Sequence, residues 1–218
     1  RFAEAGFDGI ELWENHAALA ANEEQALLER LPCPIAVFNS YASLDEAGAD
    51  ARHRAAVFAG RYGSRAIKYN TGNDPARRLV YMESLRSWEK EIPTGCRLLC
   101  ECHPNTLLET PAEAERFLKE AALTRGGIVM HVREDAEATM PEWIERFGDD
   151  VRHVHLTVDG ADRRTASRRR ILALKRAGFR GSISIEFTEG VAKPGENPEA
   201  LFASARDDLQ LVREVWAE

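Results

Sequence analysis

Seven ionisable side chains sit at or near the C-terminal ends of short apolar runs: Glu11, Lys68, Glu101, His103, His131, His155 and Glu186. In a β-strand, neighbouring side chains point to opposite faces. Over Arg97–His103 this sets Leu99, Glu101 and His103 against Leu98, Cys100 and Cys102. Over Val151–Val158 it sets His153, His155 and Thr157 against Val154, Leu156 and Val158. Over Ser182–Phe187 it sets Ser184 and Glu186 against Ile183, Ile185 and Phe187, while His131 shares its face with Val129 and opposes Met130 and Val132. Each run thus has an apolar face to pack and a face that carries a polar group near its end. Carboxylates buried together are costly unless a cation compensates them. Glu101, His131, His155 and Glu186 supply two carboxylates and two imidazoles, a donor set for one divalent ion. Mn, Co, Zn or Fe suits it better than Mg or Ca, although Mg stays in the candidate set. The bland reading is that a lone inward histidine is more often a core residue than a ligand. Four candidates at one level of four consecutive runs weigh toward the metal.

The elements that must position these groups are seven β-like runs: 7–13, 35–40, 65–70, 97–103, 127–132, 151–158 and 182–187. Each is followed by a stretch long enough for a helix. Thr110-Pro111-Ala112-Glu113 reads as a capping box with proline at the first helical position, and Thr139-Met140-Pro141-Glu142 has the same form. Asp74-Pro75 and Asn197-Pro198 each place proline after a capping residue. Gly6, Gly63, Gly126, Gly148 and Gly178 fall where helices end and strands begin. Strands alternating with helices predict an α/β fold with a parallel sheet. The opening RFAEAG resembles a helix tail, so a first strand is expected to be missing. Restoring it gives eight units, a (β/α)₈ TIM barrel whose C-terminal strand ends form the catalytic mouth. An open doubly wound sheet is the alternative, but no GxGxxG or GxxxxGK[ST] loop is present to support it. With no linker, repeat or low-complexity segment, residues 1–218 are expected to form one domain.

A length of 218 residues is enough to bury a core without disulfide staples. The net charge of −7 argues against nucleic acid and anionic membranes as partners. No run approaches the roughly 20 apolar residues of a membrane span, and the first residues lack a signal-peptide pattern. The four cysteines, Cys33, Cys96, Cys100 and Cys102, form no CxxC pair, and those flanking Glu101 are expected to pack in the core. A cytoplasmic protein follows by default, with a homo-oligomer compatible.

The phrases EAGFDGIELW (4–13), LLCECHPNTLLETPAEAERFL (98–118), VRHVHLTVDG (151–160) and LKRAGFRGSISIEF (174–187) resemble the xylose isomerase-like TIM barrels, the sugar phosphate isomerase/epimerase superfamily. The resemblance runs over essentially the whole chain, and its last two phrases are the most specific. It implies a metal held by Glu, Asp, His and Glu from the last four strands. Glu101 matches the first ligand, His155 the third and Glu186 the fourth. At the second, the family pattern is Asp followed three residues later by His. This chain has His131-Val-Arg-Glu134, so the two types are exchanged and the site is less negative.

The resemblance implies isomerisation or epimerisation of a small sugar or polyol. A metal-chelated carbonyl acidifies the neighbouring C–H, and Glu101 and Glu186 would serve as the acid–base pair. Lys68 and His103 could bind hydroxyls or oxyanion charge, with Lys68 as plain counter-ion the equal alternative. Glu11 and Glu134 could contact substrate, and Trp13 could pack a sugar ring. Arg163 or Arg164 could hold a phosphate or carboxylate; the bland reading of Arg163, Arg164, Arg168, Arg169 and Arg170 is a solvated helix face. The rivals are a metal-dependent dehydratase, phosphodiester cleavage of abasic DNA, and a non-catalytic sugar-binding barrel. The DNA chemistry would need more histidines than the six present and a basic groove.

Overall fold

The computed structural model describes residues 1–132, 136–158, 163–188 and 195–218. Glycine-closed turns set where strands begin. The Gly6 amide bonds the Ala3 carbonyl and the Phe7 amide the Phe2 carbonyl, both at 3.0 Å, with Gly6 at φ +91°. This is a Schellman ending, and the Phe2 and Phe7 rings supply its apolar contact, edge to face at 5.4 Å. RFAEAG therefore does behave as the last turn of a helix. The same bond pair recurs at Gly63-Ser64 and at Gly178-Phe179.

The chain divides into two compact units, Arg1–Val129 and Met130–Glu218. The first contains β1 (Ile10–Trp13), α1 (Glu14–Leu19), α2 (Asn22–Leu28), β2 (Ile35–Asn39), α3 (Ala49–Tyr62), β3 (Ala66–Tyr69), α4 (Arg78–Glu91), β4 (Arg97–Glu101), α5 (Pro111–Ala121) and the start of β5 (Gly126–Val132). The second contains the end of β5, then α6 (Ala136–Phe147), β6 (Val151–Thr157), α7 (Arg163–Arg176), β7 (Ser182–Phe187) and α8 (Pro198–Ala217). The strands lie in sheet order β1 to β7, and the pairings β1–β2, β2–β3, β3–β4, β4–β5 and β6–β7 are parallel. A doubly wound sheet reverses its order from a central strand; this one does not. Strands in chain order with intervening helices are the topology of a (β/α)₈ barrel with one strand fewer, as expected.

In the first unit, the register aligns Val37 with Ala66, Asn39 with Lys68, Lys68 with Leu99 and Glu101 with Val129, so these side chains share a face. Val37, Ala66, Leu99 and Val129 form one apolar cluster on it. The opposite face meets the helices: Phe38 stacks on Phe58 of α3 at 5.7 Å, and Tyr69 meets Trp88 of α4 edge-on at 6.0 Å. Phe38, Ile67 and Leu98 are fully buried there, each contributing roughly 1.5–3 kcal/mol. In the second unit, Val154 and Leu156 are buried on the apolar face of β6, and Phe179 meets Trp216 of α8 at 6.4 Å.

Three expectations are corrected. β1 starts at Ile10 rather than Phe7, where Gly9 passes so close to β2 that a Cβ on it would lie 2.8 Å from that of Ala36. β4 stops at Glu101, two residues short of the predicted end. Pro104 has no amide to extend the ladder and constrains His103 before it. The third concerns Thr139-Met140-Pro141-Glu142, which does not open a helix. The helix α6 already runs from Ala136, and Pro141 lies inside it, forgoing one hydrogen bond to the preceding turn. The other three proline-linked caps form: Thr110, Asp74 and Asn197 each accept an amide from the turn that follows.

Candidate functional site

Two groups of site residues form, one in each unit. In the first, Lys68 on β3 is fully buried, so its ammonium needs a partner. Its Nζ donates to Glu101 Oε2 at 2.7 Å and to Asn70 Oδ1 at 3.0 Å. Asn70 Nδ2 donates to the same Glu101 Oε2 at 2.7 Å. The counter-ion reading of Lys68 is thus realised in the structure, and two donors on one oxygen fix the orientation of the Glu101 carboxylate. The Tyr41 ring lies over the ammonium, with Nζ 4.1 Å from its centroid.

Tyr41 follows β2 and is held by Glu14, the first residue of α1. Glu14 Oε1 accepts from the Tyr41 amide and Oε2 from Ser40 Oγ, both at 2.8 Å. Trp13, at the end of β1, meets the Tyr41 ring edge-on at 6.5 Å and His16 at 5.3 Å. Glu11 lies on β1 in register with Val37. His103 lies past the end of β4, its Nδ1 2.8 Å from the Pro104 carbonyl oxygen, so no strand directs its ring.

In the second unit, His131, His155 and Glu186 converge. His131 Nδ1 lies 3.6 Å from Glu186 Oε2, His155 Nδ1 lies 3.7 Å from Oε1, and His155 Nδ1 lies 3.4 Å from His131 Nε2. The three offer ligand atoms all within 4.8 Å of one another. An imidazole gives one ion only one of its nitrogens, so a cation shared by the three would take either the His131 nitrogen that faces Glu186 or the one that faces His155, within that 4.8 Å spread. Glu186 Oε2 is buried and accepts no hydrogen bond from a described residue. A buried carboxylate oxygen left in that state is costly, and a cation between it and the imidazoles would satisfy it.

A bulge places Glu186. Leu156 pairs with Ile185 and Thr157 with Phe187, so Glu186 has no opposite residue. Such an extra residue re-aims the local side chain. Beneath this cluster, His153 Nδ1 lies 2.7 Å from Ser182 Oγ, His153 Nε2 lies 2.8 Å from Ser184 Oγ, and its ring meets that of His155 at 5.4 Å.

Glu134 falls outside the described residues, as does the side chain of Arg163. Arg164, Arg168 and Arg169 are exposed, while Arg170 is buried and donates to the Thr157 carbonyl at 3.2 Å. Cys100 and Cys102 are buried on the helix side of β4, and burial pushes the Cys102 thiol well up, as packing residues require. Sequence reasoning missed Asn70, Glu14 and Tyr41. Asn70 follows Lys68 by two residues and was detectable by alternation; Glu14 and Tyr41 act through loop geometry with no sequence signal.

No protein-family model matches the chain, and no curated protein matches it in sequence. Solved structures do. A D-psicose 3-epimerase determined with D-fructose is 17% identical, with a TM-score of 0.74 over 99% of this chain and 91% of that one. A probable 3-DHS dehydratase from Bacillus anthracis is 17% identical, with a TM-score of 0.72 over 96% of this chain and 90% of that one. A xylose isomerase-like TIM barrel protein from Mycobacterium smegmatis, in complex with magnesium, is 18% identical, with a TM-score of 0.65 over 98% of this chain and 86% of that one. Endonuclease IV from Thermus thermophilus is among the further matches, so the fold alone leaves the nucleic-acid reading open. No helix among the described residues is long and apolar enough to cross a membrane. The chain has the xylose isomerase-like TIM-barrel fold.

Proposed function

We propose that the protein is a metal-dependent isomerase or epimerase of a small sugar or polyol. One divalent ion would be held by Glu101, His131, His155 and Glu186. The observation that carries this is the Glu186 carboxylate, whose buried Oε2 accepts no hydrogen bond from a described residue and lies 3.6 Å from His131 Nδ1, while Oε1 lies 3.7 Å from His155 Nδ1. Glu101 is added from the sequence pattern, which puts an ionisable residue at the same level near the end of each of the four runs. The epimerase and magnesium-bound structures of the same fold support the reading. His131 in place of a carboxylate makes the donor set less negative and keeps it within the range of Zn, Mn, Co, Fe or Mg.

The bound ion would polarise a substrate carbonyl and stabilise negative charge on its oxygen. Glu186 takes the proton from the adjacent carbon. Glu101, its carboxylate oriented by Lys68 and Asn70, returns a proton to the other face of that carbon or to its neighbour, so no atom is gained or lost. The dehydratase of the same fold supports a second reading, in which the same deprotonated intermediate expels a β-hydroxyl as water.

Purified protein should contain about one divalent ion per chain, and Glu186→Gln should lose at least 100-fold in turnover of ketohexoses while keeping its fold. In deuterated water, solvent deuterium at the carbon next to the carbonyl marks isomerase chemistry, and a dehydrated product marks the lyase. Metal-free protein, or full activity in Glu186→Gln, would overturn the proposal.

A further inference from the structure

Helix α8 buries Asp208, Leu211 and Val215, the i, i+3 and i+7 positions of one helix face. A carboxylate on that apolar stripe costs folding free energy that a leucine would not, unless something bonds it. Its Oδ2 accepts from the hydroxyl of Thr188, the buried residue that follows β7. Strict alternation along β7 would put Thr188 on the face of Ser182, Ser184 and Glu186, opposite the apolar side. The extra residue at Glu186 reverses the alternation, and Thr188 turns to α8 instead. Before the bulge, β7 is fixed to β6 on the other face, where His153 lies between Ser182 Oγ at 2.7 Å and Ser184 Oγ at 2.8 Å. Glu186 thus stands between a brace on one face and a bond from α8 on the other. A strand pairing slipped by one residue would exchange those faces, and the Thr188–Asp208 bond could not form in it.

We infer that Asp208 is a positioning residue: through Thr188 it holds β7 in the bulged register and thereby aims the Glu186 carboxylate at His131 and His155. This rests on the metal-site reading above and extends it to a residue outside the donor set. Asp208 acts on the aim of Glu186 through a single hydroxyl. A variant that keeps that hydroxyl therefore keeps the site, and one that removes only the hydroxyl weakens it with little change in packed volume.

The test is titration of the full chain with Co²⁺, followed by calorimetry and by the ligand-field absorption of the bound ion, beside amide hydrogen exchange of the metal-free protein. Thr188→Val should weaken Co²⁺ binding about tenfold and shift the ligand-field bands, while Thr188→Ser, which keeps the hydroxyl, stays within about threefold. Asp208→Ala should weaken it similarly, and the double variant no further than Asp208→Ala alone, because both changes break one bond. The two Thr188 variants decide the matter even where Asp208→Ala does not fold. Val215→Ala, a core truncation on the same face of α8, should lower the melting temperature and leave Co²⁺ affinity unchanged. In metal-free protein, Thr188→Val should speed amide exchange at 185–188 and not at 151–154. Co²⁺ affinity unchanged in Thr188→Val, additive losses in the double variant, or an equal loss in Val215→Ala would each overturn the inference. The two proposals fail separately. A wild type that binds no Co²⁺, while Thr188→Val still loosens 185–188, sinks the metal reading and leaves the hold on the register. A Co²⁺-binding wild type indifferent to Thr188→Val sinks the positioning role alone.

Discussion

A fully buried lysine is tolerable only while something compensates its charge, and in this protein Glu101 does so at 2.7 Å. Breaking a buried pair from one side strands the other charge and costs about 3–5 kcal/mol, whereas replacing both partners by apolar groups costs far less. In metal-free protein, Glu101→Gln should therefore lower the urea-unfolding free energy by about 3–5 kcal/mol. Adding Lys68→Met to that variant should recover most of the loss. A single variant within about 1 kcal/mol of wild type would mean that Asn70 and Tyr41 alone hold the ammonium. The pairing was half legible in the sequence, because alternation placed Lys68 and Glu101 on inward faces. It could not say that these two, rather than Glu101 and a histidine, would be in contact. That depends on the register of β3 against β4, which aligns Lys68 with Leu99.

At the scale of elements, the turns were the most legible feature. Ala-Gly-Phe occurs at 5–7 and at 177–179, and in both places glycine takes a positive φ while the following phenylalanine bonds back five residues. Gly178 has φ +80°, and a Cβ built on it meets nothing within 4 Å. Gly178→Ala should therefore lose about 1–2 kcal/mol through backbone strain alone, and Gly178→Asn less, since asparagine tolerates this region. Equilibrium denaturation of the two variants checks this; equal losses would point to packing instead. Two features were not legible. The Thr139 box failed because a capping pattern specifies only a local preference, and α6 already starts at Ala136. The bulge at Glu186 is set by how β7 pairs with β6, and nothing in SISIEF marks it.

For the molecule as a whole, burial of the Cys96 and Cys102 thiols ties stability to pH on the alkaline side. Desolvation holds the Cys96 thiol up at about 11 in the folded chain against an ordinary 9.0, and raises Cys102 and Tyr69 as well. Below pH 9 both folded and unfolded chains keep these protons, and stability is insensitive to them. From 9 to 11 the unfolded chain releases protons that the folded chain retains, so stability falls as pH rises. Cys96 alone accounts for about 3 kcal/mol across that window, since retaining one proton costs about 1.4 kcal/mol for every pH step of one. Unfolding free energies measured at half-unit steps from pH 8 to 11 should be flat to 9 and then decline. Cys96→Ala should lower the value at pH 8, where a packed side chain is lost, yet show a shallower decline by close to one proton. An identical slope in the variant would mean that Cys96 ionises in the folded chain as readily as in the unfolded one. That would require water to reach the thiol between α4 and the start of β4.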